Sequence, residues 1–128
     1  MISSDELVSR AKGVVNPREL SPTVGVGDVG CALVTEKGTV YVGVSIDTAC
    51  SMGFCAEHNA IGSMITDGES RIAKLAAVDW NGKVVPPCGR CREFIYQVDP
   101  RNADTIIVLS GGREKTLRDL LPEHWSLS

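Results

Sequence analysis

The segments Cys55-Ala56-Glu57 and Pro87-Cys88-Gly89-Arg90-Cys91 decide both the fold and the chemistry of this chain. Apolar residues at helical spacing follow each segment, so both are predicted to lie at the start of a helix. The N-terminal end of a helix favours negative charge, because its backbone amides are free and its dipole is positive there. Cysteine thiolates are stabilised in that position. Two helix starts directed at one point would therefore bring three thiolates together.

Three thiolates at one point favour a zinc ion bound by Cys55, Cys88 and Cys91. Zinc with three protein ligands keeps its fourth tetrahedral position for water, which is typical of catalytic sites. Glu57 lies in the first helical turn after Cys55, where its carboxylate would reach that water. Zinc lowers the pKa of bound water towards about 7, and a carboxylate beside it can move the proton. These residues predict hydrolytic replacement of an amino group on an aromatic heterocycle.

Plainer interpretations of the same residues stay open. Cys88 and Cys91 could be a redox pair or half of a structural zinc ribbon, although a second Cys-x-x-Cys is missing. Glu57 could be a first-turn glutamate that only the helix dipole favours. Cys31 and Cys50 are interpreted as small buried hydrophobic residues.

The composition is that of an ordinary globular domain. The chain has 128 residues, of which 43% are hydrophobic and 23% charged, and its formal net charge is -3. This length favours a single domain, residues 1–128, that folds without disulfides. Lys and Arg are scattered, which disfavours a nucleic-acid polymer as partner. Neither an apolar run of about 20 residues nor a secretory signal is present, so a cytoplasmic protein without a membrane span is expected.

Outward from the cysteine segments, helix and strand patterns alternate along the chain. Residues 17–27 contain two prolines and two glycines and are predicted as a loop. Helices are predicted at 3–15, 55–68 and 89–98, with a last helical turn at 117–121. Strands are predicted at 29–35, 39–45, 72–80 and 105–110, with a short strand after Gly111-Gly112. This order predicts an α/β domain in which helices cover a mixed sheet.

The two cysteine segments, the second extended to Arg92-Glu93, resemble the zinc signature of the cytidine deaminase superfamily. The first ligand, a cysteine, is similar to that of the small tetrameric cytidine deaminases and blasticidin S deaminases. The predicted hairpin at 28–45 and the segment 116–122 fit the same layout, so the resemblance covers nearly the whole chain. It implies a three-layer α/β/α sandwich with a mixed five-stranded sheet, one zinc ion per subunit and a homotetramer.

The resemblance also implies what the site residues do. Glu57 would pass a proton from water to N3 of a cytosine ring and later protonate the departing ammonia. Backbone groups of Ala56 and Pro87 would hydrogen-bond the base. The implied substrate is a small nucleoside, cytidine or deoxycytidine, which becomes the uracil nucleoside. A blasticidin S-type antibiotic, another aminated heterocycle and a non-catalytic zinc protein remain alternatives.

Three positions depart from the pattern of that family. His58 stands where Arg is usual, and it is either a donor to a ligand sulfur or a helix residue at a subunit contact. Ser45-Ile46-Asp47 stands where the family has an Asn-x-Glu pair that holds the ribose. Ser45 and Asp47 are therefore interpreted either as substrate contacts with shorter side chains or as no more than the end of a strand and a turn. The Phe expected to stack on the base near the first strand is absent.

Four further side chains are predicted with less specific roles. Arg90 and Arg92 either pair with a thiolate or carboxylate beside the metal or remain solvated. Trp80 and Trp125 are predicted as packing residues. Trp125, near the C-terminus, could instead reach the site of a neighbouring subunit.

Overall fold

The computed structural model describes residues 1–126, which form three α-helices, seven strands and four short 3-10 turns. The helices are α1 (Ser4–Val14), α2 (Ala56–Thr66) and α3 (Gly89–Val98). The strands are β1 (Arg18–Ser21), β2 (Val24–Thr35), β3 (Val40–Thr48), β4 (Ile72–Asp79), β5 (Val84–Val85), β6 (Ile106–Val108) and β7 (Glu114–Thr116). The turn predicted at 117–121 is a 3-10 turn, Leu117–Leu120, rather than an α-helical one.

The strands form one mixed sheet in which five lie side by side in the order β3-β2-β4-β6-β7. β4 and β6 are parallel, and the other neighbouring pairs are antiparallel. β1 pairs with the first residues of β2, and β5 pairs with the last residues of β4. The predicted α/β class and mixed sheet are confirmed, while β1 and β5 raise the number of strands from five to seven.

The prediction that residues 17–27 form a loop is wrong, because this segment contains β1 and the start of β2. All four residues of β1 are exposed, so alternating burial could not mark it as a strand in the sequence. Pro17 precedes β1 and Pro22 lies in the turn after it. Neither proline therefore removes an amide from the sheet.

Helices cover both faces of the sheet. Cys31 and Leu33 of β2 pack in the core beneath α2 and α3, whereas Ala32 and Val34 pack with α1. Strands buried on both faces carry continuous apolar runs, and fully burying a side chain such as Leu33 stabilises the fold by about 2 kcal/mol. None of the helices in residues 1–126 has the length and apolar character needed to cross a bilayer.

A buried amide fixes α3 against the sheet. The side chain of Asn102, which is fully buried, accepts a hydrogen bond from the Ile72 amide at 2.8 Å. It also donates to the carbonyls of Ser70 and Ile95, each at 3.0 Å. Since Ile95 belongs to α3 and Ile72 begins β4, these bonds hold the helix that carries Cys91 at a defined place on the sheet.

Candidate active site

The sulfurs of Cys55, Cys88 and Cys91 converge, with all three within 4.8 Å of one another. The Sγ of Cys88 lies 3.6 Å from the Sγ of Cys55 and 3.6 Å from that of Cys91. Zinc–sulfur bonds of about 2.3 Å at tetrahedral angles separate ligand sulfurs by roughly 3.8 Å. The spacing of these sulfurs therefore fits a zinc ion held by three thiolates.

The two helix starts position these sulfurs as the sequence predicts. Cys55 and Cys88 are the extended residues that immediately precede α2 and α3, and Cys91 lies in the first turn of α3. The carbonyl of Cys55 accepts a hydrogen bond from the Asn59 amide at 3.3 Å, and the carbonyl of Cys88 accepts one from the Arg92 amide at 2.9 Å. Both helices cover the same face of the sheet, so their N-terminal ends meet at one point.

Arg92 has a role that neither sequence interpretation foresees. Its Nε donates to the carbonyl of Pro87 at 2.8 Å, and its Nη1 donates to that of Leu120 at 3.3 Å. The guanidinium therefore binds backbone carbonyls, and it holds the residue before Cys88 against the C-terminal part of the chain. Arg90, in contrast, lies between Cys88 and Cys91 in the sequence, and its side chain lines an open cleft beside the sulfurs.

Glu57 is buried, with 4% of its surface exposed, and it lines the same cleft as Cys55 and Cys88. Its burial raises the pKa of the carboxyl group above its ordinary value. A first-turn glutamate that served only the helix dipole would gain nothing from being buried. A carboxyl group with a raised pKa exchanges protons closer to neutral pH, which suits a general acid and base.

His58 contacts a ligand sulfur, as one of its two interpretations requires. Its Nδ1 lies 3.4 Å from the Sγ of Cys91, and the tautomer with hydrogen on Nδ1 donates to that sulfur. The imidazole stacks on Phe94 with ring centroids 4.3 Å apart and planes 8° apart. Burial, together with the charge of Arg90, lowers the pKa of His58, which favours the neutral ring. A neutral donor moderates the charge on the sulfur without adding a proton to the centre.

A cleft of about 600 Å³ is lined by Cys55 and Cys88, and the buried Cys91 lies behind them. Ser45, Asp47 and Ala56, which the sequence predicts as substrate contacts, all line it. Pro87 is buried behind the lining residue Pro86, where its carbonyl accepts the bond from Arg92. The predicted contacts from β3 and α2 thus reach the cleft, while Pro87 supports its wall.

The cleft contains aromatic residues whose positions the sequence did not indicate. Trp80 is 61% exposed and lines the cleft, so its prediction as a packing residue is wrong. β4 ends at Asp79, and Trp80 begins the turn that leaves the sheet. Phe54 also lines the cleft. The packing role predicted for Trp125 is wrong as well, since 73% of its surface is exposed.

A β-bulge brings a further carboxylate to the cleft. β2 carries three residues, 27–29, opposite the single residue Ser45 of β3. The Val29 amide donates a hydrogen bond to the Ser45 Oγ at 3.0 Å. This bond takes the place of the backbone hydrogen bonds between β2 and β3 that the bulge interrupts. Gly27 has a φ of +86°, and a Cβ there would lie 2.2 Å from a backbone oxygen, so only glycine fits. Bulges redirect side chains, and Asp28 consequently lines the cleft.

Outside the cleft, the interpretation of Cys50 as a buried residue is wrong. Cys50 is exposed and has a φ of +61°, in the turn that follows β3. Cys31 is fully buried, as predicted. All five cysteines of the chain are free thiols.

Three converging cysteine sulfurs and a buried glutamate at one cleft of an α/β/α sandwich define the class as a zinc-dependent hydrolase. The family model for the cytidine and deoxycytidylate deaminase zinc-binding region matches residues 4–108. The chain belongs to the cytidine and deoxycytidylate deaminase family, which confirms the resemblance found in the sequence.

Individual relatives agree with this assignment. The cytidine deaminase of Sporosarcina psychrophila is 36% identical over 101 residues, which cover 77% of this chain and 74% of that protein. The blasticidin-S deaminase of Bacillus cereus is 33% identical over 104 residues, covering 73% and 74%. The crystal structure of cytidine deaminase from Mycobacterium tuberculosis superposes with a TM-score of 0.82 at 26% identity, covering 99% of this chain and 100% of that one.

Proposed function

We propose that this protein is a zinc-dependent deaminase that converts a cytosine nucleoside, cytidine or deoxycytidine, into the uracil nucleoside and ammonia. The observation that carries this proposal is the meeting of three sulfurs and one buried carboxylate in a single open cleft. A purely structural zinc site has no use for a buried glutamate beside it.

In this proposal some residues of the chain bind the metal ion and another transfers protons. Cys55, Cys88 and Cys91 would hold zinc, which when bound supplies a water molecule of lowered pKa. Glu57 accepts one proton of the attacking water and delivers it to N3 of the cytosine ring. The water oxygen bonds to C4, and Glu57 then carries the remaining proton of that hydroxyl group to the amino nitrogen. The C4–N bond then breaks, and ammonia leaves.

The cleft walls orient the nucleoside in this proposal. The Oγ of Ser45 accepts a hydrogen bond from the Val29 amide, so its own hydrogen is available to donate to substrate. The exposed carboxylate of Asp47 lines the same wall and accepts bonds from sugar hydroxyls. Backbone groups of Ala56 hydrogen-bond the base at the end of the cleft nearest the sulfurs. Pro87, which the sequence also predicts for this contact, has no N–H and gives its carbonyl to Arg92, so in this proposal it supports the wall instead.

Ammonia release from the zinc-loaded protein tests the proposal. Cytidine, deoxycytidine, blasticidin S and adenosine are compared at equal concentration, and turnover of cytidine or deoxycytidine is expected. Adenosine is expected to be the poorest of the four substrates, because the proposed proton transfers and contacts serve a cytosine ring. Turnover of blasticidin S alone would make this an antibiotic-detoxifying enzyme. Zinc-loaded protein that releases ammonia from no cytosine nucleoside would contradict the proposed function.

We also propose that the protein assembles as a homotetramer, as the family resemblance implies. A hollow of about 450 Å³ on the outer surface of α2 is lined by Phe54, His58 and small residues that include Gly62 and Ser63. Little side-chain bulk covers the helix there, so a second copy can approach it closely.

Light scattering tests this assembly. The expected mass in solution is about four times the 13.7 kDa of one chain. Gly62→Glu, which places a charged side chain on the exposed surface of α2, is expected to lower that mass. A protein that is active while its mass equals one chain would exclude the tetramer.

In this proposal the kind of substrate and the cellular compartment are inferred from the amino-acid composition. Scattered Lys and Arg favour a small-molecule substrate over a nucleic-acid polymer. All five cysteines are free thiols, and a reducing cytoplasm keeps such thiols available for metal.

A further inference from the structure

The C-terminal segment, residues 117–126, lies against α3, the helix that begins directly after Cys88. Leu117 is fully buried, and Leu120 and Leu121 pack against the core that α2 and α3 cover. Three side chains of α3 hydrogen-bond this segment: Arg92, Glu93 and Tyr96. The segment and the metal-binding helix are therefore tied together by polar contacts as well as by packing.

His124 is the buried anchor of the C-terminal segment. Its Nδ1 accepts a hydrogen bond from the Ser126 amide at 3.1 Å, and because an amide only donates, the ring hydrogen lies on Nε2. Nε2 therefore donates to Oε1 of Glu93 at 2.8 Å. The ring also packs edge-on against Tyr96, with centroids 4.7 Å apart. Both ring nitrogens are thus used to fix the segment to α3.

The backbone beside this anchor adopts a conformation that its neighbours must maintain. Glu123 has a φ of +53°, in the left-handed region that residues other than glycine rarely adopt. Such a conformation persists when surrounding contacts determine it. The contacts of His124 with α3 therefore hold the segment in place at some cost to its backbone.

The loop that leads to Cys88 has little means of holding itself. β5 ends at Val85, and Pro86 and Pro87 follow, neither of which has an N–H to donate. Cys88 is exposed, so burial does not fix its side chain. The position of its sulfur consequently depends on what binds the carbonyls of Pro87 and Cys88.

Arg92 binds both of these carbonyls and the C-terminal segment as well. Its amide donates to the Cys88 carbonyl at 2.9 Å, and its Nε donates to the Pro87 carbonyl at 2.8 Å. Nη1 of the same guanidinium donates to the Leu120 carbonyl at 3.3 Å. Because a guanidinium is planar and holds its donors in fixed directions, a shift of the backbone at Leu120 is passed to the backbone beside Cys88.

We propose that the C-terminal segment, acting through Arg92, positions Cys88 and so raises the affinity of the site for zinc. Arg92 is a positioning residue that acts through Cys88, and His124 is the remote anchor of the same path. The inference rests on the zinc site of the proposed function and specifies what holds that site in place. Since coupling between two sites is reciprocal, zinc in turn fixes the C-terminal segment.

Zinc affinity, measured by competition with a chromophoric chelator, tests the role of Arg92. Arg92→Met removes the donors and is expected to weaken zinc binding by about tenfold or more, as loss of a group that orients a ligand does. Arg92→Lys keeps the positive charge, but one ammonium group cannot replace Nε and Nη1 together, so most of the same loss is expected. Full affinity in either variant would overturn the inference.

A second arginine of the same segment is the matched control. Arg118 pairs with the exposed carboxylate of Asp104 at 3.3 Å. Arg118→Met removes the same charge and the same donors from the C-terminal segment, and it should leave zinc affinity unchanged. An equal loss of affinity in Arg118→Met and Arg92→Met would overturn the inference.

The remote anchor tests whether the path runs through Arg92. His124→Ala is expected to weaken zinc binding by about threefold or more in the wild type and to add little in Arg92→Met, because contributions that share a path are not additive. Equal effects of His124→Ala in the two backgrounds would contradict the path. Far-UV circular dichroism shows that each variant is folded before its zinc affinity is measured.

Hydrogen exchange of the unaltered protein tests the reciprocal effect and needs no variant. Amides of residues 121–126 are expected to exchange about threefold or more slowly with zinc than without it, and to slow more than those of α1 on the opposite face of the sheet. An equal change in both regions would contradict the inference. None of these measurements needs turnover, so a zinc-loaded protein that deaminates no nucleoside would refute the proposed function alone.

Discussion

Glu57→Gln is expected to lower kcat for cytosine nucleoside deamination by about 10²- to 10⁴-fold while the protein keeps its full complement of zinc. The substitution preserves the shape of the side chain and removes its ability to carry a proton. Glu57 is buried at the cleft and is not one of the three converging sulfur ligands, so metal binding should not depend on it. Steady-state kinetics and metal content measured on the same sample test both halves of this expectation.

A second first-turn glutamate provides the control. Glu6 occupies the first turn of α1, as Glu57 occupies that of α2, but Glu6 is exposed and pairs only with Arg10 at 3.6 Å. Glu6→Gln should leave kcat unchanged. A rate for Glu57→Gln within a few-fold of the wild type would remove this residue from the proton-transfer role.

Cys91→Ala is expected to weaken zinc binding by at least about 100-fold and to abolish turnover, because a two-thiolate site keeps too few ligands to hold the metal. Zinc that binds only the folded state also stabilises it, so adding zinc should raise the Tm of the wild type and not that of the variant. Competition with a chromophoric chelator gives the affinity, and thermal unfolding with and without zinc gives the shift.

Cys31 is the matched control for this substitution. It is fully buried, as Cys91 is, but it lies in β2 within the core rather than at a helix start. Cys31→Ala should lower Tm by removing core contacts while the zinc stoichiometry stays at one per chain. Full zinc affinity in Cys91→Ala would show that another residue completes the site.

The metal centre could be predicted from the sequence because its chemistry is local. A cysteine before a helix, or in its first turn, is recognisable from a few consecutive residues, and Glu57 follows Cys55 in the same turn. The distance between the two helix starts is then set by a sheet whose buried strands are marked by continuous apolar runs. The resemblance to a known zinc signature indicated that the two cysteine segments hold one metal ion together.

The positions of Asp28 and Trp80 in the cleft could not be predicted, because they depend on pairing between residues that are distant in the sequence. Asp28 reaches the cleft only through the bulge that Gly27 permits, and Trp80 reaches it only because β4 ends one residue earlier. The carbonyl partner of Arg92 at Leu120 is likewise distant in sequence. β1 was not predicted for a different reason. A fully exposed edge strand shows no alternation of apolar and polar residues.

The bulge in β2 gives the cleft a wall that is built from different elements than the sulfurs and Glu57. The sulfurs and Glu57 belong to the starts of α2 and α3. Asp28 lies in the bulge of β2, Asp47 is the last residue but one of β3, and Trp80 directly follows β4. Substitutions at these three positions would therefore change the wall of the cleft without moving the sulfurs or Glu57. The fold thus allows a lineage of such enzymes to acquire new substrates while it keeps one reaction.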